Sequence, residues 1–231
     1  MELFIDIETI PSGDQPTNEE LRNAVPKTIS KEETIMKWVE DNKDKVFHKR
    51  SLDPFEGQIL CIVVYDPSKN EMYTILDKDE KVVLIKLYDL IVKLTAFVPN
   101  PSTTDISDPN INVGKFHKPI WIGHNVIFDL NFLFIRSIVH KIPLLKYLPN
   151  NERDYDHYED TMKIIGYGTT DSSKKFISLE KACKLLDIPI KTSMHGSKVY
   201  DYYLEGRLEE ISKYCQEDVL ACVQLYNKLT K

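Results

Sequence analysis

The run Phe4-Ile5-Asp6-Ile7-Glu8-Thr9 sets two carboxylates, Asp6 and Glu8, among Phe4, Ile5, Ile7 and Ile10. Side chains alternate across a β-strand, so residues two apart project from the same face. An exposed polar face would account for such a pair on an edge strand. Here the apolar neighbours make the strand central and buried, where an uncompensated charge is expensive. Carboxylates converging on hard divalent cations are the usual compensation, and such sites catalyse phosphoryl transfer.

Working outward, two further segments place acids among apolar residues. In Gly123-His124-Asn125-Val126-Ile127-Phe128-Asp129, Asn125 and Asp129 straddle the junction of a short strand and a helix. Open α/β sheets bind ligands at such junctions. An Asp that merely complements the helix dipole is an equally good reading of Asp129 alone. In Tyr214-Cys215-Gln216-Glu217-Asp218, Tyr214 and Asp218 are four residues apart and share one helix face. Taken alone, that pair reads as a core tyrosine with an acid at the rim.

The periodicities between these segments alternate strand and helix. Residues 2–8, 59–65, 71–76 and 120–122 read as strands, and Asp66-Pro67-Ser68-Lys69-Asn70 as the turn of a hairpin. Helical spacing predicts helices over 79–94, where Val83, Leu87, Leu90, Ile91 and Leu94 recur, and over 127–138, 178–187 and 207–229. The last helix carries Leu208, Ile211, Cys215, Val219, Cys222, Val223, Tyr226 and Leu229 as its stripe. The expectation is an α/β protein with a mixed central sheet flanked by helices, forming one domain over 1–231. Two polar, proline-bearing insertions interrupt it, at about 12–57, with helical character over 31–44, and at about 95–118.

Composition narrows the function classes. The 231 residues, 42% hydrophobic and 29% charged, suffice for a proper core. No apolar run approaches the roughly 20 residues that span a bilayer, and the opening strand is unlike a signal peptide, so a cytoplasmic location is expected. Cys61, Cys183, Cys215 and Cys222 make no C-x-x-C pair and read as buried free thiols. A formal net charge of −6 argues against a long duplex-binding surface, yet leaves room for a site that grips only a strand end.

With all three segments in this order, the chain resembles the DEDD (DnaQ-like) superfamily of 3′–5′ exonucleases, in its tyrosine-bearing DEDDy branch. It is most similar to the predicted exonucleases related to the proofreading domain of family B DNA polymerases. The motifs match as Phe4-Asp6-Glu8-Thr9, His124-Asn125-Phe128-Asp129 and Tyr214-x-x-x-Asp218. The histidine branch places His five residues before the last Asp, where this chain has Lys213. Asp160-Thr161, Leu179-Glu180 and the stretch from Gly196 to Arg207 add weaker similarity.

The resemblance implies a ribonuclease H-like fold and a two-metal 3′–5′ exonuclease. Asp6, Glu8 and Asp218 would hold two Mg²⁺ or Mn²⁺ ions, with Asp129 acting directly or through water, and Tyr214 would orient the attacking water. Thr9, Asn125 and Phe128 would touch the terminal nucleotide. Lys174, Lys175 and Lys191 could meet the strand backbone, although solvated lysines explain them as well. Asp160 reads as support for the site and His124 as a packing residue. The acidic run 151–160 reads as a solvated loop rather than a metal site. The expected substrate is the 3′ end of single-stranded DNA, with RNA the nearest competitor, since sugar choice depends on pocket shape around the 2′ position. A polymerase or helicase partner would act in trans, and no membrane partner is expected. A non-catalytic nucleic-acid-binding adaptor with this fold is the alternative from another class, and its sign would be lost carboxylates.

Overall fold

The computed structural model describes residues 1–96, 118–166, 177–190 and 194–231. The lysines Lys174, Lys175 and Lys191, and the proposed insertion over 95–118 apart from its margins, lie outside the described residues.

Five strands form one mixed sheet among the described residues: β1 (Glu2–Pro11), β2 (Gly57–Asp66), β3 (Glu71–Leu76), β4 (Ile120–Gly123) and β5 (Tyr158–Asp160). Their order is β3-β2-β1-β4-β5, with β1 at the centre. β1 pairs antiparallel with β2 and parallel with β4, and β2 and β3 form the expected hairpin. Asn70 closes that hairpin with φ 54°, a left-handed conformation that Asn adopts more readily than most residues. Helices flank the sheet on both sides, as the ribonuclease H-like fold requires.

The alternation of β1 sorts the layers. Leu3, Ile5 and Ile7 face α3 (Glu80–Thr95) and α4 (Val126–His140). Phe4 and Ile10 face the opposite layer, built from α7 (Val199–Leu204) and α8 (Leu208–Thr230). Asp6 and Glu8 share the parity of Phe4 and Ile10, so they project beneath α8. Leu60 and Cys61 are consecutive yet both face α8, because the β1–β2 register slips by one residue between Glu8 and Thr9. Such a bulge increases local twist.

Several expectations are corrected in detail. In α3, Leu84 is fully buried alongside the expected Val83, Leu87 and Ile91, while Leu90 is only partly buried. α8 carries a second apolar face, in which Ala221 and Leu225 pack on α6 (Leu179–Leu185) through Ala182 and Cys183. Residues 158–160, expected to lie in an acidic loop, form the edge strand β5 beside β4.

The segment after β1 is built as α1 (Asn18–Asn23) and α2 (Glu32–Lys49), the latter longer than the 31–44 expected. Thr17 opens α1 with a reciprocal capping box to Glu20. Arg50 then ties the segment together, donating to the Asp14 carbonyl at 2.7 Å and to the Glu20 carboxylate at 3.0 Å. It is anchored on the sheet by the Thr9 hydroxyl, which donates to the Ser51 carbonyl at 2.6 Å.

A buried ion cluster locks the other layer. Glu80, 4% exposed at the start of α3, accepts from the Ile59 amide at 2.7 Å and from Arg136 of α4 at 2.6 Å. His140 Nε2 lies 2.6 Å from the same carboxylate. One side chain thus joins β2, α3 and α4. No helix is long and apolar enough to cross a membrane among the described residues.

Candidate active site

The end of β4 and the start of α4 are tightly built. A Cβ on Gly123 would stand 2.8 Å from Val126 Cγ2 and 3.0 Å from the Ile5 carbonyl oxygen, so only glycine fits. Asn125 follows in a left-handed conformation, φ 61°, and turns the chain into α4. Its amide donates to Asp160 Oδ1 at 2.8 Å, and the same oxygen caps α5 (Thr161–Ile165) through the Met162 amide at 2.9 Å. Asp160, 3% exposed, therefore supports the turn that aims α4. His124 bridges Thr161 Oγ1 at 2.9 Å and the Ile177 carbonyl at 2.7 Å, the packing role expected of it.

That turn delivers Asp129 to β1. β4 pairs with β1 only as far as Phe4, leaving the next part of that edge of β1 open. Asp129, 4% exposed, fills the gap: its Oδ1 accepts from the Ile7 amide at 2.9 Å. The carboxylate thus grips the backbone between Asp6 and Glu8, and its charge adds to the repulsion felt by both.

α8 supplies the remaining groups. Ile211, Cys215, Val219 and Cys222 face the sheet, which brings Tyr214 and Asp218 to the edge of the contact, beside the acids of β1. The Tyr214 hydroxyl hydrogen-bonds Asp218, one turn further along the same helix. Lys213 is exposed and lies 3.9 Å from Glu217, so the position that would carry histidine in the other branch holds an outward lysine.

The structure therefore brings Asp6, Glu8, Asp129, Tyr214 and Asp218 into one electrostatic neighbourhood. Burial pushes the Asp6 and Glu8 carboxyls well above the usual range, and mutual repulsion with Asp218 pushes them further. Burial raises Asp129 likewise, and raises Asp218 to about 6. Burial also drives the Tyr214 hydroxyl upward, with the charges of Asp218 and Glu8 adding to it, so it remains protonated at neutral pH. Among the described residues, no Lys, Arg or His forms an ion pair with any of the four acids. Hard oxygen donors without a protein counter-charge suit hard divalent cations.

One member of the site reads in the sequence only as apolar stripe. Cys215 Sγ donates to Asp6 Oδ2 at 3.3 Å, and its sulfur and the Asp6 and Glu8 oxygens lie within 4.8 Å of one another. Burial raises the thiol, keeping it a donor that seats Asp6. Its place beside Tyr214 is the available signal, masked by a perfect core spacing. The expected nucleotide contacts lie close to the acids but have structural duties. Thr9 holds Ser51, Asn125 makes the α4 turn, and Phe128 packs on Phe132 with ring centroids 4.9 Å apart. The acidic run 151–160 forms no carboxylate cluster comparable to that of β1 among the described residues.

Two comparisons with known proteins bear on this arrangement. Residues 110–231, just over half of the chain, match the family model described as a predicted 3′–5′ exonuclease related to the exonuclease domain of PolB. No curated protein matches the chain.

Proposed function

The chain belongs to the family of predicted 3′–5′ exonucleases related to the exonuclease domain of PolB, and from that premise we propose that it hydrolyses single-stranded DNA from the 3′ end. The observation that carries this reading is the convergence of Asp6, Glu8, Asp129 and Asp218. Burial raises all four carboxyls, and the charges of neighbouring site acids raise Asp6 and Glu8 further, with Tyr214 bonded to Asp218. Two divalent cations, Mg²⁺ or Mn²⁺, held by those four carboxylates, would supply water activation and neutralise charge on the leaving oxygen.

The protein's own groups then have separate tasks. Asp6 and Glu8 stand on a rigid central strand, so their spacing does not depend on a loop. Cys215 fixes one oxygen of Asp6, and the Ile7 amide fixes one oxygen of Asp129. Tyr214 keeps its proton and therefore orients the attacking water rather than deprotonating it. Water oxygen bonds to phosphorus as the bond to the 3′ oxygen of the neighbouring nucleotide breaks. The products are a nucleoside 5′-monophosphate and a strand with a new 3′ hydroxyl, which receives the proton that balances the step.

The test uses matched single-stranded DNA and RNA oligonucleotides, labelled at either end, with Mg²⁺, Mn²⁺ or chelator. Loss of mononucleotides from the 3′ end of DNA is the expected result. Asp6→Ala and Asp218→Ala should each lower the rate by about 10²–10³-fold or more, as when a main electrostatic stabiliser is removed. Preferential degradation of RNA would move the substrate to RNA. Strand binding without any released nucleotide would instead indicate an adaptor.

A further inference from the structure

Four acids at one site repel the polyanion they are meant to receive, so a strand needs cations beside its path. The described residues contain one groove that meets this need. It has a volume of about 510 Å³ and is lined by Thr9, Lys45, His48, Lys49, Gly196 and Tyr200 among others. That volume lies within the range of about 300–1,000 Å³ typical of ligand sites.

The groove adjoins the candidate active site at two points. Thr9 directly follows Glu8 on β1, and a Cβ on Gly196 would lie 3.7 Å from the Tyr214 hydroxyl. Its far wall is the last turn of α2. Phe47 is buried there, edge-on to Tyr200 at 5.6 Å, and His48 lies edge-on to the same ring at 5.2 Å. Arg50 and the Thr9–Ser51 hydrogen bond hold that wall in place. Lys45 and Lys49 are four apart, hence on one face of the helix, and both are exposed. Neither forms an ion pair among the described residues. In a protein of net charge −6, two unpaired cations border the one place where a polyanion must approach.

We propose that this groove carries the sugar-phosphate backbone of the single strand to the acids, with Lys45 and Lys49 against its phosphates. The proposal rests on the exonuclease reading and adds the residues that grip the strand, which lie in a segment otherwise outside the three motifs.

The test compares the full-length protein with its Lys45→Glu/Lys49→Glu variant. Both side chains are exposed, and an unchanged melting temperature checks the fold. One substrate is a twelve-nucleotide single strand; the other is the p-nitrophenyl ester of thymidine 5′-monophosphate, which reaches the acids and has no upstream strand. The variant should raise KM for the strand by about tenfold or more and leave ester hydrolysis within about twofold. The slope of log(kcat/KM) against log salt should flatten by about 1.4, at roughly 0.7 for each single-strand phosphate that a lysine no longer neutralises. Equilibrium binding of a fluorescein-labelled strand without divalent cation should weaken in parallel. Unchanged KM, salt slope and binding, with an active wild type, would overturn the groove. Lysine-dependent strand binding by a wild type that cleaves neither substrate would overturn the exonuclease reading and keep the groove.

Discussion

At the residue scale, Tyr214 separates the roles within the site. Its hydroxyl donates to Asp218 and thereby holds that carboxyl down against the burial that lifts it to about 6. Tyr214→Phe keeps the ring and removes the donor. In the metal-free variant the Asp218 carboxyl should titrate above its wild-type value, followed by carboxyl-carbon NMR. The variant should also lose about 10–100-fold in kcat with little change in KM, as expected for a group that orients water rather than binding the strand. A drop in the Asp218 value would mean the hydroxyl accepts rather than donates. Cys215 belongs to this scale too. It is invisible as a functional residue in the sequence because its spacing with Ile211, Val219 and Cys222 already explains it as core. A side chain can serve both purposes, and periodicity detects only one.

At the element scale, the strands and long helices are legible in the sequence because each buries one face and so repeats at its own period. The three motifs are legible because acids break those repeats. β5 is not: the three residues Tyr158, Glu159 and Asp160 offer no period to read. The docking of α2 is equally hidden, since only Phe47 on it is buried and its neighbour Tyr200 lies far away in sequence. The Glu80 cluster is another long-range arrangement, joining β2, α3 and α4 through residues that look like ordinary surface charges. Glu80→Ala would strand Arg136, whose side chain is 11% exposed, against an unpaired Ile59 amide. The expected loss is about 3–5 kcal/mol of unfolding free energy in urea, and a loss under about 1 kcal/mol would show that water replaces the carboxylate freely.

At the scale of the whole molecule, the site works against the fold. Asp218 has an ordinary value of 3.8 and rises to about 6 in the native protein, so the native state binds its proton more tightly than the unfolded chain does. The stability this contributes is complete below the ordinary value and is lost as pH climbs through about 6. Ionising Asp218 alone corresponds to a penalty on the order of 3 kcal/mol, and Asp6, Glu8 and Asp129 shift the same way. Carboxylates held low, such as Asp154 and Asp201, are ionised in both states above about pH 5 and do not alter the trend there. Chelated protein should therefore melt at a higher temperature at about pH 5 than at about pH 8, and Mn²⁺ or Mg²⁺ should narrow the gap by stabilising the more alkaline sample. Scanning calorimetry across that range, with and without cation, checks both effects; a flat profile would contradict the buried-acid site. The placement of these acids also has a consequence in time. Asp6 and Asp218 lie at opposite ends of the chain, and α8 must dock on β1 before they meet. While the chain is being made, the strand acids face no opposing charge from α8. Their repulsion is deferred to the closing step, after the hairpin next to β1 has had the chance to pair, so the sheet can form before the acids that α8 carries oppose it.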